Sequence, residues 1–279
     1  MKYIYYPGCN AEEVSPQLDK SSRNVAKKLG IELLKLDSLS CCGSSALDET
    51  NQKLNYIVNA RNFALAEKEK LDIVTPCSTC YNVMKKANKH LRENPRLLSE
   101  VNDILHGYSL EYKGTTEIKN FLGVLVYDYG IEKLREEVVN PLKKLRIAPF
   151  YGCHILRPGD EILYDNTQNP KSMELLIETL GAVSIDFKEK FSCCGLHVMM
   201  ANSKLTNKMV DSVTKDAKDS SANCIATPCT LCVFSLDANQ KVNIPVIHVM
   251  QLVGLSLNMS SKELGLSKHM VNADILSVF

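Results

Sequence analysis

The sequence lacks a charge excess: over 279 residues, 33 basic groups face 32 acidic ones, for a formal net charge of +1. Nucleic-acid binding rests on cations that neutralise phosphates, so this balance gives no reason to expect it. It also lacks a long apolar run, and a helix that crosses a bilayer needs about 20 apolar residues. The opening MKYIYYPGCN has one lysine and a short apolar stretch that meets Pro7 and Gly8. A signal peptide needs a longer stretch and a small-residue cleavage site, so a cytoplasmic location is expected. No segment reads as low-complexity, and a hydrophobic fraction of 45% with 23% charged residues suits an ordinary globular chain. Single cores stop growing at roughly 250–300 residues, so one two-lobed body is expected.

What the sequence has in abundance is cysteine, eleven in all. Disulfides do not persist in most reducing cytosols, so these need another explanation. Ten fall into two sets of one pattern: Cys9, Cys41, Cys42, Cys77, Cys80 and Cys153, Cys193, Cys194, Cys229, Cys232. Each set is a single cysteine, a vicinal pair and a C-x-x-C. In both, 34 residues separate the pair from the C-x-x-C, whereas the first gap is 31 residues in one set and 39 in the other. The flanks repeat as well: YYPGC with FYGC, SLSCCG with KFSCCG, VTPCSTC with ATPCTLC. The chain is a tandem repeat. A division into 1–144 and 145–279 follows. Cys224 stands outside the pattern and reads as a buried, inert thiol.

β-prone runs at Tyr3–Tyr6, Ile31–Leu36 and Leu71–Thr75 each stop just before a cysteine group, and 145–150, 182–187 and 224–227 repeat the arrangement. Helical patterns lie between them. In one, Met173, Leu176, Ile177 and Leu180 fall at i, i+3, i+4 and i+7 before Gly181. Alternating strands and helices predict an α/β fold of two pseudo-symmetric lobes. Each would be a small parallel sheet with flanking helices and its metal cluster at the strand carboxyl ends. Gly43 and Gly195 are expected to permit tight turns, and Ser44 and Ser78 to cap helices whose N–H groups face the sulfurs. Helix starts are expected after Cys42, Cys80, Cys194 and Cys232. Residues 86–140 have no second-half counterpart of equal length and read as a helical insert and linker, with Ile131 to Val139 the clearest helix and a docking surface as one use.

Three chemistries compete for the ten cysteines. Structural zinc takes four ligands, and a vicinal pair is an awkward source of two. A thioredoxin-type C-x-x-C fits TPCSTC but leaves Cys9, Cys41 and Cys42 without a role. An ordinary cubane cluster takes four cysteines, often in a compact run that is absent here. Five thiolates with a vicinal pair point instead to an iron–sulfur cluster that is not a simple cubane.

The paired pattern resembles the cysteine-rich CCG family, although the 34-residue gap falls just under its usual spacing. With two copies, APFYGCH before the second and LGLSKH near the C-terminus, the chain looks like the B-type subunit of heterodisulfide reductase from methanogenic archaea. Relatives of that pattern include lactate-utilisation proteins, iron–sulfur subunits of hydroxyacid oxidases and thiol-linked fumarate reductases. Many of these carry a fused ferredoxin-like segment that this sequence lacks. The resemblance implies two noncubane [4Fe–4S] clusters facing one another, each held by five cysteines. It implies reduction of the mixed disulfide CoM-S-S-CoB to its two thiols. It also implies the C-type (ferredoxin-like, [4Fe–4S]) and A-type (flavin, iron–sulfur) subunits of heterodisulfide reductase as partners, with hydrogenase or formate dehydrogenase in the wider complex. The competing roles are an electron-transfer subunit without its own substrate chemistry and a metal-free dithiol oxidoreductase.

Outside the cysteines, His154 follows Cys153 directly and is the candidate proton donor to a nascent thiolate, or a hydrogen bond to cluster sulfur. His197, three residues past Cys194, is a weaker candidate for the substrate site. Arg157 and Lys204 are candidates to meet the substrate's anionic groups, which need cationic partners once desolvated. The remaining histidines, His248 among them, read as ordinary.

Overall fold

We describe a computed structural model of the chain, covering residues 1–157 and 165–278. Each half folds around four short parallel strands. In the first, Lys2–Tyr5 (β1), Glu32–Lys35 (β2), Ile73–Thr75 (β3) and Ile118–Asn120 (β4) lie in the order β2-β1-β3-β4. In the second, Arg146–Pro149 (β5), Val183–Ser184 (β6), Cys224–Thr227 (β7) and Val246–His248 (β8) lie in the order β6-β5-β7-β8. The topologies are the same. Parallel sheets are covered on both faces, so inner strands are buried along their length, as IVT in β3 and CIAT in β7 are.

The helices of the first half are Pro16–Lys28 (α1), Ser44–Thr50 (α2), Gln52–Lys68 (α3), Ser78–Glu93 (α4) and Pro95–His106 (α5). A winding stretch after β4 completes it: Phe121–Gly123 (α6), a π-helical segment Val124–Gly130, and Ile131–Glu136 (α7). Those of the second are Ser172–Thr179 (α8), Ser203–Asp219 (α9), Thr230–Asn239 (α10), Val249–Ser256 (α11) and Ser261–Leu264 (α12). The expected helix at Met173 is α8, and Leu180 and Gly181 end it.

The stretch read as a helical insert is corrected. It holds α5 and α7 but also β4, which pairs with β3 in the register Ile73↔Ile118 and Thr75↔Asn120. It has a counterpart too, since β8 pairs with β7 as Thr227↔His248 and leads into α11. The repeat thus runs past the last cysteine of each set by one strand and one helical segment.

The lobes share a core. One buried cluster joins Tyr5, Val25 and Phe121 to Ile147, Tyr151, Leu252 and Val253. The last helices of the second half lie on the first half: α11 and α12 pack against α1. Asn24 Nδ2 donates to the Glu263 carbonyl at 2.9 Å, and a Cβ added at Gly254 would lie 3.0 Å from Val25 Cγ2.

Candidate metal centre

In each sheet the chain leaves the first strand toward one edge and the third toward the other, so the switch point lies between β1 and β3, and between β5 and β7. Ligands of open α/β sheets gather there, outside the strand carboxyl ends. Cys9 follows β1 and Cys77 follows β3; Cys153 follows β5 and Cys229 follows β7. The vicinal pairs arrive from the second strands, β2 and β6.

The sulfurs of each half lie close enough to shift one another's ionisation, in the order of a string. Cys9 meets Cys41, Cys41 meets Cys42, Cys42 meets Cys80, and Cys80 meets Cys77. The second half repeats it through Cys153, Cys193, Cys194, Cys232 and Cys229. The strings join across the lobe boundary, where Cys77 Sγ and Cys229 Sγ are 3.9 Å apart. Cys9 and Cys41 are exposed, Cys153 and Cys193 are half-buried, and the other six are buried.

Contact with its neighbours favours the thiolate of the first cysteine in each vicinal pair. Cys41 is pushed down to about 2, first by contact with Cys42 and then Cys9. Cys193 falls to about 2 through Cys153 and Cys194. Both also accept a backbone N–H, from Gly43 at 3.4 Å and Gly195 at 3.3 Å. Their partners move up, Cys42 and Cys194 each to about 12, with the neighbouring thiolate the first cause. At the junction the halves differ. Contact with Cys229 raises Cys77. Burial opposes ionisation of Cys229, but contacts with Cys232 and Cys77 and the N–H groups of Cys232 and Thr79 bring it well below its ordinary value.

Glycine makes room for the sulfurs at matching positions. A Cβ on Gly8 would lie 2.9 Å from Cys80 Sγ, and one on Gly152 would lie 3.3 Å from Cys232 Sγ; both residues are left-handed, φ +74° and +70°. Gly43 and Gly195, also left-handed, turn the chain after the vicinal pairs as expected. The helix caps differ from expectation. Gly43, not Ser44, is the N-cap of α2, and Cys77, not Ser78, is the N-cap of α4. Cys80 and Cys232 lie inside the first turns of α4 and α10 rather than ahead of them. This brings the N-terminal N–H groups closer to the sulfurs than a start after the cysteine would.

His154 sits at the junction. Its Nδ1 is 3.0 Å from Thr79 Oγ1 of the other half, and its ring centroid is 5.1 Å from that of His197. Burial, then His197, lowers its pKa. Asn82 of α4 ties down the same loop, donating to the carbonyls of His154 at 2.8 Å and Arg157 at 2.6 Å. The Arg157 side chain is exposed beside this loop, and Lys204 is exposed in the first turn of α9. Cys224 lies on β7, fully buried, and burial alone raises its thiol.

Residues to which the sequence assigned another role or none cross the lobe boundary. Ser78 Oγ donates to the Pro228 carbonyl at 3.1 Å, and Asn120 Nδ2 points to the same oxygen at 3.3 Å. His248 Nε2 meets the Pro76 carbonyl at 2.8 Å; burial pushes this histidine down to about 4. The one available signal was position, since Asn120 and His248 each lie at a matching place past a C-x-x-C.

Among the described residues, no group of three or more His, Cys, Asp and Glu side chains is arranged around a single-ion site. The donor set is instead ten thiols in two strings, with a glycine cradle under one sulfur of each and a backbone N–H aimed at another. Such a set fits thiolate-bound iron–sulfur groups.

Comparison with known proteins agrees. The model of the CCG cysteine-rich domain matches residues 3–85 and 147–237. The chain is 34% identical over 281 residues to the 8-methylmenaquinol:fumarate reductase membrane anchor subunit of Wolinella succinogenes, covering 98% of each. It is 29% identical to the B-type subunit of the ferredoxin/F420H2-dependent CoB-CoM heterodisulfide reductase of Methanosarcina acetivorans, covering 97% of this chain and 94% of that one. It is 30% identical to a protein of Archaeoglobus profundus named for its likeness to the same B-type subunit, covering 92% and 91%. Among solved structures, a hypothetical protein from Helicobacter pylori shares the fold at a TM-score of 0.76 and 14% identity. The match covers 97% of this chain and 52% of that one, about half its length. Two complete motifs, two matched segments and relatives similar along nearly the whole chain lead to one conclusion: this chain belongs to the CCG cysteine-rich domain family and carries the domain twice.

Proposed function

We propose that this chain is an iron–sulfur subunit of an oxidoreductase complex, with two noncubane [4Fe–4S] clusters that deliver electrons in pairs. The observation that carries this reading is the junction, where two complete cysteine strings meet at 3.9 Å between Cys77 and Cys229. Cys9, Cys41, Cys42, Cys77 and Cys80 would hold one cluster, and Cys153, Cys193, Cys194, Cys229 and Cys232 the other. When bound, such clusters supply one-electron transfer and Lewis-acidic iron. The protein's own residues do the rest. Gly43 and Gly195 orient a thiolate, the glycine cradles admit the sulfurs, and the buried cysteines keep water from the junction.

The substrate reading is disulfide reduction of the CoM-S-S-CoB kind. It requires two electrons and two protons. His154, placed between the lobes by Thr79, would supply a proton, with His197 beside it and Arg157 and Lys204 toward the substrate's anionic groups. Electrons would arrive from ferredoxin-like and flavin-bearing partner subunits, in the cytoplasm. A second reading is favoured by the 34% identity to a menaquinol:fumarate reductase subunit. In it the pair passes electrons within a fumarate-reducing complex and splits no disulfide. Among the described residues, no helix is long and apolar enough to cross a membrane.

Two measurements decide. Chain purified without oxygen is expected to carry about eight irons and eight acid-labile sulfides; zinc at full occupancy in either half would overturn the cluster assignment. The complex isolated with its partners is then assayed with reduced viologen against the heterodisulfide and against fumarate. Turnover of the heterodisulfide supports the first reading, and in that case Arg157→Ala or Lys204→Ala should raise KM for it while sparing a small neutral disulfide. Turnover of fumarate alone selects the second.

A further inference from the structure

The geometry points to Asn120 and His248 as a crossed pair of positioning residues that lock the two C-x-x-C turns together. The residues occupy the same place in the two lobes. Each ends the fourth strand of its sheet, paired with the threonine two residues ahead of that lobe's C-x-x-C. Each caps the helix that follows with its acceptor atom. Asn120 Oδ1 takes the Leu122 N–H at 2.9 Å, and His248 Nδ1 takes the Met250 N–H at 3.2 Å. Each then directs its donor across the boundary. Asn120 Nδ2 reaches the carbonyl of Pro228, just before Cys229, and His248 Nε2 reaches that of Pro76, just before Cys77. A carbonyl only accepts, so the proton of His248 lies on Nε2.

Both side chains are buried, at 1% and 0% exposure. A buried polar group without a partner is costly, and each of these two places its donor on a carbonyl of the opposite lobe. Amide and imidazole are different groups, yet each offers one acceptor and one donor on opposite sides, and the two lobes use them alike. Ser78 Oγ adds a third bond to Pro228. The matching hydroxyl, Thr230 Oγ1, is buried with no hydrogen-bond partner among the described residues, so among them it is His248 that bonds the Pro76 carbonyl, while His154 meets Thr79 of the same turn. The pair sets the distance between Cys77 and Cys229. On the iron–sulfur reading above it also sets the distance between the clusters, and electron exchange falls steeply with distance.

The test uses the full chain, first without metal. Diamide oxidises two neighbouring thiols to a disulfide and takes up both electrons and both protons as it becomes the hydrazine. Trapping with an alkylating agent and peptide mapping then follow the Cys77–Cys229 bridge, with Cys194–Cys232 as the control within one lobe. His248→Leu is expected to slow the inter-lobe bridge about tenfold and leave the control unchanged, because a lost buried hydrogen bond lowers the effective concentration of the Cys77 and Cys229 thiols at one another by about that factor. His248→Asn, which gives the second lobe the first lobe's device, is expected to restore the rate. In chain reconstituted with iron and sulfide, the magnetic interaction between the two reduced sites should weaken in His248→Leu and return in His248→Asn. Wild-type bridging in His248→Leu overturns the inference. Should that variant fail to fold, Asn120→Ala must show the slowing, and a wild-type rate there overturns it equally. Absence of iron would sink the cluster reading and leave the bridging result intact.

Discussion

The two lobes repeat each other in strand order, cysteine order and glycine cradle, and they differ in the residues at matched sequence positions around the cysteines. After the first cysteine comes Asn10 in one lobe and His154 in the other. Three residues beyond the vicinal pair comes Ser45 in one and His197 in the other. At the end of the fourth strand comes Asn120 in one and His248 in the other. Three imidazoles in the second lobe stand where the first has amides and a hydroxyl. The first lobe also exposes Cys9 and Cys41, whereas their counterparts are half-buried. Duplicated backbone thus preserves a thiol scaffold in each lobe. The imidazoles of His154 and His248 both reach across to the first lobe, at Thr79 and at the Pro76 carbonyl.

The largest expected effect tests the equivalence of the scaffolds. Cys42→Ser and Cys194→Ser should each remove about half of the bound iron, roughly four atoms per chain, measured in anaerobically purified protein. Loss of all the iron from either variant would show that the lobes load as a unit and not as copies. The next test addresses the asymmetry. His154→Asn makes the second lobe resemble the first; it should keep the iron and slow disulfide reduction by about 10²-fold or more, the usual worth of an acid–base group. Unchanged turnover with full iron would remove His154 from the chemistry.

Acid should separate the lobes too. The His248 pKa is depressed in the folded chain, to about 4, against an ordinary value near 6.5. Its contribution is therefore complete above about pH 6.5 and is lost as pH falls toward 4, because the unfolded chain takes up the proton first. Thermal unfolding of metal-free protein should show this loss, up to about 3 kcal/mol. His248→Asn should flatten the curve over that window, as Asn120 carries no proton. The smallest effect concerns the cradles. Gly8→Ala and Gly152→Ala both force a Cβ into left-handed backbone, at a cost of about 1–2 kcal/mol. Gly8→Ala should be the worse of the two by melting temperature, since its Cβ meets sulfur at 2.9 Å rather than 3.3 Å.

Much of this was legible in the sequence because it is local. A β-prone run that stops at a cysteine reports a strand end, and six such runs were enough to predict two parallel sheets with thiols at their carboxyl ends. The fourth strands were missed because IKN and VIH are three residues long, too short for periodicity to register. Ser44 was misassigned as a cap because a serine after glycine looks like one, whereas Gly43 takes the left-handed turn itself. The role of His248 was invisible for a different reason. Its partner is 172 residues away, and no spacing rule connects a strand end to a proline carbonyl in another lobe.

The packing of α11 and α12 on α1 has a consequence for how the chain is made. Val25 and Ala26 emerge early in synthesis, and the apolar residues that cover them, Leu252 and Val253 among them, follow more than two hundred residues later. Contacts of such sequence separation form late, because the intervening loop must close first. Until then the first half has its sheet and its five cysteines but presents an uncovered apolar flank on the ribosome, a surface for chaperones or for aggregation.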